Sequence, residues 1–234
     1  MQKPLFRGFL FYLYPTLLKQ ILHIVKLEWQ LEWKRKSSIG SVLLYSFATI
    51  YTCYLAFKSL NHAATWNALF WLILLFAAIN TIAKAFMLDS RGRQLYHYSL
   101  FKAESFLLGR ILYNVLLMNI ISWITLLFFM MFLGNLVQDI PSFLLVMFLG
   151  SSCFASILTL ISSIASKTKG NLGIMAVLSF PMLLPALMTI MKASKNAVDG
   201  LDPSVSYSYW LILILLNIVV TALGFLLFPY LWRD

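Results

Sequence analysis

The sequence predicts an all-α polytopic membrane protein, six transmembrane helices preceded by an N-terminal amphipathic helix lying in the membrane interface. Composition is the first observation behind this. Of 234 residues, 61% are hydrophobic and only 11% charged, against about 25% charge in an ordinary soluble domain. Mean hydropathy is +0.85. The second observation is six stretches long and apolar enough to cross a bilayer, which takes about 20 helical residues each. The third is that the connections between them are short. Nothing is left over for a soluble domain of any size, so residues 1–234 read as one membrane domain.

The chain opens with MQKPLFRGFLFYLYP. This segment has a short apolar core but no small-residue cleavage site, so it is expected to be retained and to rest on the membrane. The next stretch, TLLKQILHIVKLEWQLEWKRK at residues 16–36, is too charged to span. On a helix, Leu18, Leu22, Val25, Trp29 and Trp33 form one apolar stripe, with Lys19, His23, Lys26, Gln30 and Lys34 alongside. Glu32 and Lys36 stand four apart in the order that favours an ion pair. Tryptophans beside lysines mark a segment lying in the headgroup plane. Trp29, Trp33, Lys34, Arg35 and Lys36 are therefore the expected interfacial anchor. Two roles stay open for it: anchoring the first span, or also forming a collar for a partner.

The spans are expected at about 39–59, 66–88, 106–133, 141–165, 172–191 and 209–232. An even number places both termini on one side. Fifteen of the 18 lysines and arginines fall on that side, Arg110 among them. The other side has Lys58, Lys192 and Lys195, accompanied by Asp139, Asp199 and Asp202. The positive-inside rule then makes the termini cytoplasmic. The net charge of +10 is accounted for by anionic inner-leaflet lipid, and with no long basic domain, nucleic acid is not an expected partner.

Within the spans, chemistry-bearing patterns are scarce. No GxxxxGK[ST] loop, HExxH, paired carboxylates or Ser/His/Asp set occurs there, so neither nucleotide binding nor catalysis is expected of this chain. Lys84, near a span end, is free to snorkel. Cys53 and Cys153 form no metal or haem-attachment spacing. His62 lies at the outer end of the first span, where a solvated loop residue outweighs a haem-iron ligand. The fourth span, LGSSCFASILTLISSIAS, is rich in small residues suited to close helix packing, with a polar transport path as the alternative. Asn80 and Asn119 are expected to form interhelical hydrogen bonds. In FPMLLP, Pro181 and Pro185 each remove a backbone hydrogen bond, so the fifth span is expected to kink or break there as a gating element.

The most polar connection is AFMLDSRGRQLYHYSLFKAESFLLGR, residues 85–110. Beyond its glycine, Leu95, Tyr96, Tyr98, Leu100 and Phe101 add apolar bulk that a mere tether would not need. Such a segment suits a docking element on a protein without its own motor. The stretch WNALFWLILLFAAINTIAKAFMLDSRGRQLYHYSL, the entry KLEWQLEWKRK, the segment KASKNAVDGLD and the ending LLFPYLWRD resemble the CcmB family, most closely its Bacteroidota-type members. That family is the permease subunit of the haem exporter of cytochrome c maturation. The resemblance covers about Lys26 to Asp234 and implies a fold like that of ABC exporter permeases, in the bacterial inner (cytoplasmic) membrane. It further implies that residues 89–105 form a cytoplasmic coupling loop docking on an ATPase, with Asp89, Arg91, Arg93, Tyr96 and Tyr98 as the contact. The implied partners are a CcmA-like ABC ATPase, CcmC-like and CcmD-like haem-handling membrane proteins, and a CcmE-like haem chaperone as client. ATP would be bound by the ATPase and haem handled by the complex. The tryptophan-rich WWD motif of haem-handling partners is missing here, so no cofactor is assigned to this chain.

Overall fold

The computed structural model describes residues 5–35, 37–57, 62–87, 101–167 and 172–233. They form seven α-helices: α1 (Leu5–Arg35), α2 (Ser37–Phe57), α3 (Ala63–Met87), α4 (Ala103–Leu133), α5 (Ile140–Lys167), α6 (Leu172–Val198) and α7 (Tyr207–Arg233), with a 3-10 turn at Pro203–Ser206. The last six are long and apolar enough to cross a membrane.

Two element boundaries move well away from the sequence expectation. α1 begins at Leu5 rather than at residue 16 and runs through Pro15, which stands between LFRGFLFYLY and the TLLKQ stretch. α6 continues through KASKNAV to Val198; the apolar stretch ends near Met191, but those residues tolerate helix. α4 begins at Ala103, so the last residues of the expected 89–105 loop belong to its first turn.

The helices wrap around α5. Of Ile140–Ser166, 78% of residues are buried, against 17% for the apolar window of α2. α5 occupies the axis because its sequence is small where it is crowded: every residue from Gly150 to Ser163 is buried. Close approach is also visible at Gly150, where a Cβ would lie 2.8 Å from Trp71 of α3. The hydroxyls along this run are satisfied within the helix. Ser152 donates to Phe148 O at 2.7 Å, Ser156 to Ser152 O at 3.0 Å and Thr159 to Ala155 O at 2.6 Å. Bonded to their own backbone and buried, these side chains serve packing.

Three asparagines pin neighbours to this axis. Asn114 of α4 donates to Thr159 Oγ1 at 2.8 Å. Asn119 donates to Ser152 Oγ at 3.2 Å and accepts from Ser151 at 3.0 Å. Asn217 of α7 donates to Leu149 O at 3.4 Å, and its Oδ1 lies 3.3 Å from Ser156 Oγ, whose one proton it shares with Ser152 O. Asn119 thus makes the expected interhelical bonds, whereas Asn80 does not. Its side chain is exposed and donates to Phe76 O of its own helix at 3.0 Å, because it points away from the packed face of α3.

One end of the bundle is knitted shut. Trp66 Nε1 donates to Gly134 O at 3.0 Å, Asn67 to Met191 O at 3.4 Å and Trp71 Nε1 to Ser194 Oγ at 2.9 Å. Asp139 N donates to Ala197 O at 3.0 Å, joining the start of α5 to the end of α6. Gly134 closes α4 at φ 76°, a left-handed conformation that glycine adopts without a Cβ penalty.

Candidate functional site

The functional residues suggested by the sequence fall at three places. Asp89, Arg91, Arg93, Tyr96 and Tyr98 lie outside the described residues, as does Lys36, and the side chains of Lys34 and Arg35 are likewise outside the description. Pro181 and Pro185 are within α6, which runs unbroken through both. The expected break does not occur; whatever bend the prolines impose is absorbed inside one helix. Both prolines are exposed on the side carrying Val177, Phe180, Leu184 and Met188. Thr189 donates back to Pro185 O of the same helix at 2.8 Å.

Trp29 and Trp33 are 40% and 71% exposed. α1 turns out to have three faces rather than two. Leu18, Leu22, Trp29 and Trp33 form an exposed apolar stripe; Lys19, His23, Lys26 and Gln30 form an exposed polar one. The third face carries Gln20, Ile24, Glu28 and Glu32, spaced by one helical turn, and it packs on the beginning of α4.

That contact holds the one buried ion pair among the described residues. Arg110, in the second turn of α4, is 3% exposed. Its Nε and Nη2 donate to Glu28 Oε1 at 3.0 and 2.9 Å, and its guanidinium lies 4.8 Å from the centre of the Phe106 ring. Phe106 in turn stacks on Phe228 near the end of α7, with centroids 6.3 Å apart. Ile24 sits against the bare backbone of Gly109, where a Cβ would lie 2.8 Å from it. Trp29 meets Tyr113 edge-on at 6.4 Å, and His23 approaches Phe101 at 6.1 Å.

Sequence reasoning grouped Arg110 with the surface cations and overlooked Glu28. The signal was present: Arg110 lies inside the apolar stretch 106–133, and an intramembrane arginine demands a partner. An ion pair so buried needs both members, because removing one leaves an uncompensated charge.

Ile24, Ala103, Phe106, Leu107, Ile111 and Phe228 make a hydrophobic cluster of their own, separate from the main core around α5. Among the described residues no metal-ligand set occurs; in this region α1, the root of α4 and the end of α7 meet, directly after the polar connection 88–100 in the sequence. The model of the CcmB protein family matches residues 19–230, from within α1 to within α7. No curated protein matches the chain.

Proposed function

The chain belongs to the CcmB family, and from that premise we propose that it is the permease subunit of an ABC-type complex acting in haem delivery for c-type cytochrome assembly. A separate, CcmA-like ATPase supplies the energy. Its closure on ATP pushes the loop at residues 89–105, with Asp89, Arg91, Arg93, Tyr96 and Tyr98 as the contact. The push reorients the bundle and alters the opposite surface around residues 194–206, where a haem chaperone of the CcmE type is loaded or released beside CcmC-like and CcmD-like partners. Haem is cargo of the complex and is not ligated by this chain. Both termini face the cytoplasm in this reading, which the fifteen-to-three distribution of cations supports.

The observation that carries the reading is the family match over nearly the whole chain, supported by the placement of the one buried ion pair described, Glu28–Arg110, just beyond the polar connection. A push does nothing unless the two states differ in their contacts, and a structured root for α4 gives such a push something to act on.

Two experiments test it. Deleting the gene should abolish peroxidase-staining c-type cytochromes while b-type cytochromes persist, with recovery on return of the wild-type gene. Persisting c-type haem would instead favour an export permease for another small molecule or polysaccharide. Arg91→Glu with Arg93→Glu should abolish co-purification of the ATPase; unchanged co-purification and cytochrome yield would refute the docking role.

A further inference from the structure

The helix bundle carries two hydrophobic clusters, and α4 contributes to both; α1 touches the main one through Val25 and through Trp29 on Tyr113. From Asn114 onward α4 is pinned to α5 by Asn114–Thr159 and by Asn119 with Ser151 and Ser152. Before Asn114, Ala103, Phe106, Leu107 and Ile111 belong to the small second cluster with Ile24 and Phe228. Two grooves of 510 and 620 Å³ run alongside. The first separates Leu18 and Ile21 of α1 from Ser152 and Ser156 of α5, and the second runs between Leu108 and α7 at Asn217–Thr221. These grooves leave open space on one side of the α4 root, next to α5 and α7.

We propose that Glu28 and Arg110 are positioning residues that lock α1 to the root of α4, so that α1, that root and the end of α7 move as one lever about the Ile111–Asn114 segment of α4. This rests on the ATP-driven push proposed above. Three features favour a lever over a passive anchor. Ile24 against Gly109 gives close contact, but an apolar contact alone permits sliding; a buried, hydrogen-bonded ion pair fixes the axial register. The helix that follows α1 is barely buried, so it can travel with it. Finally, Gln20 Oε1, Glu32 Oε1 and Ser105 Oγ are buried without a hydrogen-bond partner. Unmet polar atoms at a native interface call for an explanation, and a second arrangement of the lever, in which they are satisfied, supplies one.

The test uses the whole complex purified with its ATPase, with Cys53→Ser and Cys153→Ala removing the native thiols. Spin labels at Lys26→Cys and Lys102→Cys, the latter at the N-cap of α4, report within the joint; labels at Lys26→Cys and Met188→Cys report across the bundle. All three positions are exposed. The Lys26–Lys102 distance should be single and nearly the same with and without trapped nucleotide, while Lys26–Met188 shifts. Arg110→Met should broaden the first distance and abolish the nucleotide-dependent shift of the second, with the ATPase still bound. Glu28→Gln keeps the size and an acceptor oxygen, and serves if Arg110→Met fails to assemble; the same broadening is expected. A Lys26–Lys102 distance that changes with nucleotide as much as Lys26–Met188 does overturns the lever alone. So does a pair of variants that leaves both distances as in the parent. A purified complex without any ATPase overturns the proposed function and the lever with it.

Discussion

Ile24 of α1 lies against Gly109 of α4 so closely that a Cβ on the glycine would meet Ile24 Cβ and Cγ2 at 2.8 Å. Cβ is the stiff base of a side chain, so relief requires moving a helix. Gly-to-Ala in a helix interior ordinarily gains about 0.5–1 kcal/mol from reduced backbone freedom. At Gly109 the sign should reverse, with Gly109→Ala costing about 1–3 kcal/mol through overpacking. Gly40 in α2 is the control, since nothing lies within 4 Å of its added Cβ; Gly40→Ala should be neutral or stabilising. Thermal unfolding of the detergent-solubilised protein measures both. Equal shifts for the two variants would mean that α1 does not rest on Gly109.

Two buried serines that look alike in the sequence should respond in opposite ways. Ser194 accepts from Trp71 Nε1 at 2.9 Å while donating to Ile190 O at 2.7 Å. Ser194→Ala strands a buried indole N–H, a loss of about 1–3 kcal/mol. Ser163 donates to Leu160 O of its own helix at 2.6 Å, and such back-bonding adds nothing to helix stability. Ser163→Ala should therefore stay within about 0.5 kcal/mol of the parent. Denaturant titration followed by tryptophan fluorescence separates the two, and comparable losses would contradict the bonding described.

Much of this fold was legible in the sequence because bilayer thickness sets helix length. The apolar stretches therefore found α2 to α7, and the small residues from Gly150 to Ser163 announced a crowded helix. Helix ends were less legible, since hydropathy stops at Met191 whereas α6 continues to Val198. The joint at Arg110 escaped for a different reason. Its meaning depends on Glu28, 82 positions away, and linear spacing does not tell a snorkelling arginine from a paired one. The third face of α1 was hidden in the same way, because Gln20, Glu28 and Glu32 look polar until α4 is placed against them.

Asn119 ties α4 to α5 through two serines, and its removal should be felt through both. Interhelical hydrogen bonds inside membranes average about 0.6 kcal/mol and reach about 1.7. Asn119→Leu and Ser151→Ala, singly and together, form a double-mutant cycle whose coupling should fall in that range. The 3.0 Å Ser151–Asn119 bond predicts a positive coupling. Reversible unfolding in mixed micelles measures it, and strict additivity would show that the pair is adjacent without interacting.

Asp202 gives a pH-dependent prediction at the knitted end, outside the membrane-spanning helices. Its Oδ1 accepts from Ser204 N at 2.9 Å, capping the Pro203–Ser206 turn. The backbone and hydroxyl bonds from Ser204 hold the carboxyl below its ordinary value. With the folded value depressed, its contribution is fully present above the unfolded value of about 3.9. It is lost as pH falls through the lower folded value. Amide exchange at Ser204 and Val205 should thus show constant protection from neutral pH down to about 4, then fray on further acidification. Asp202→Asn keeps an acceptor oxygen but has nothing to titrate, so its protection should not show that acid step. If the parent and the variant lose protection in parallel, the turn is opened by some other group and Asp202 is not the cap that holds it.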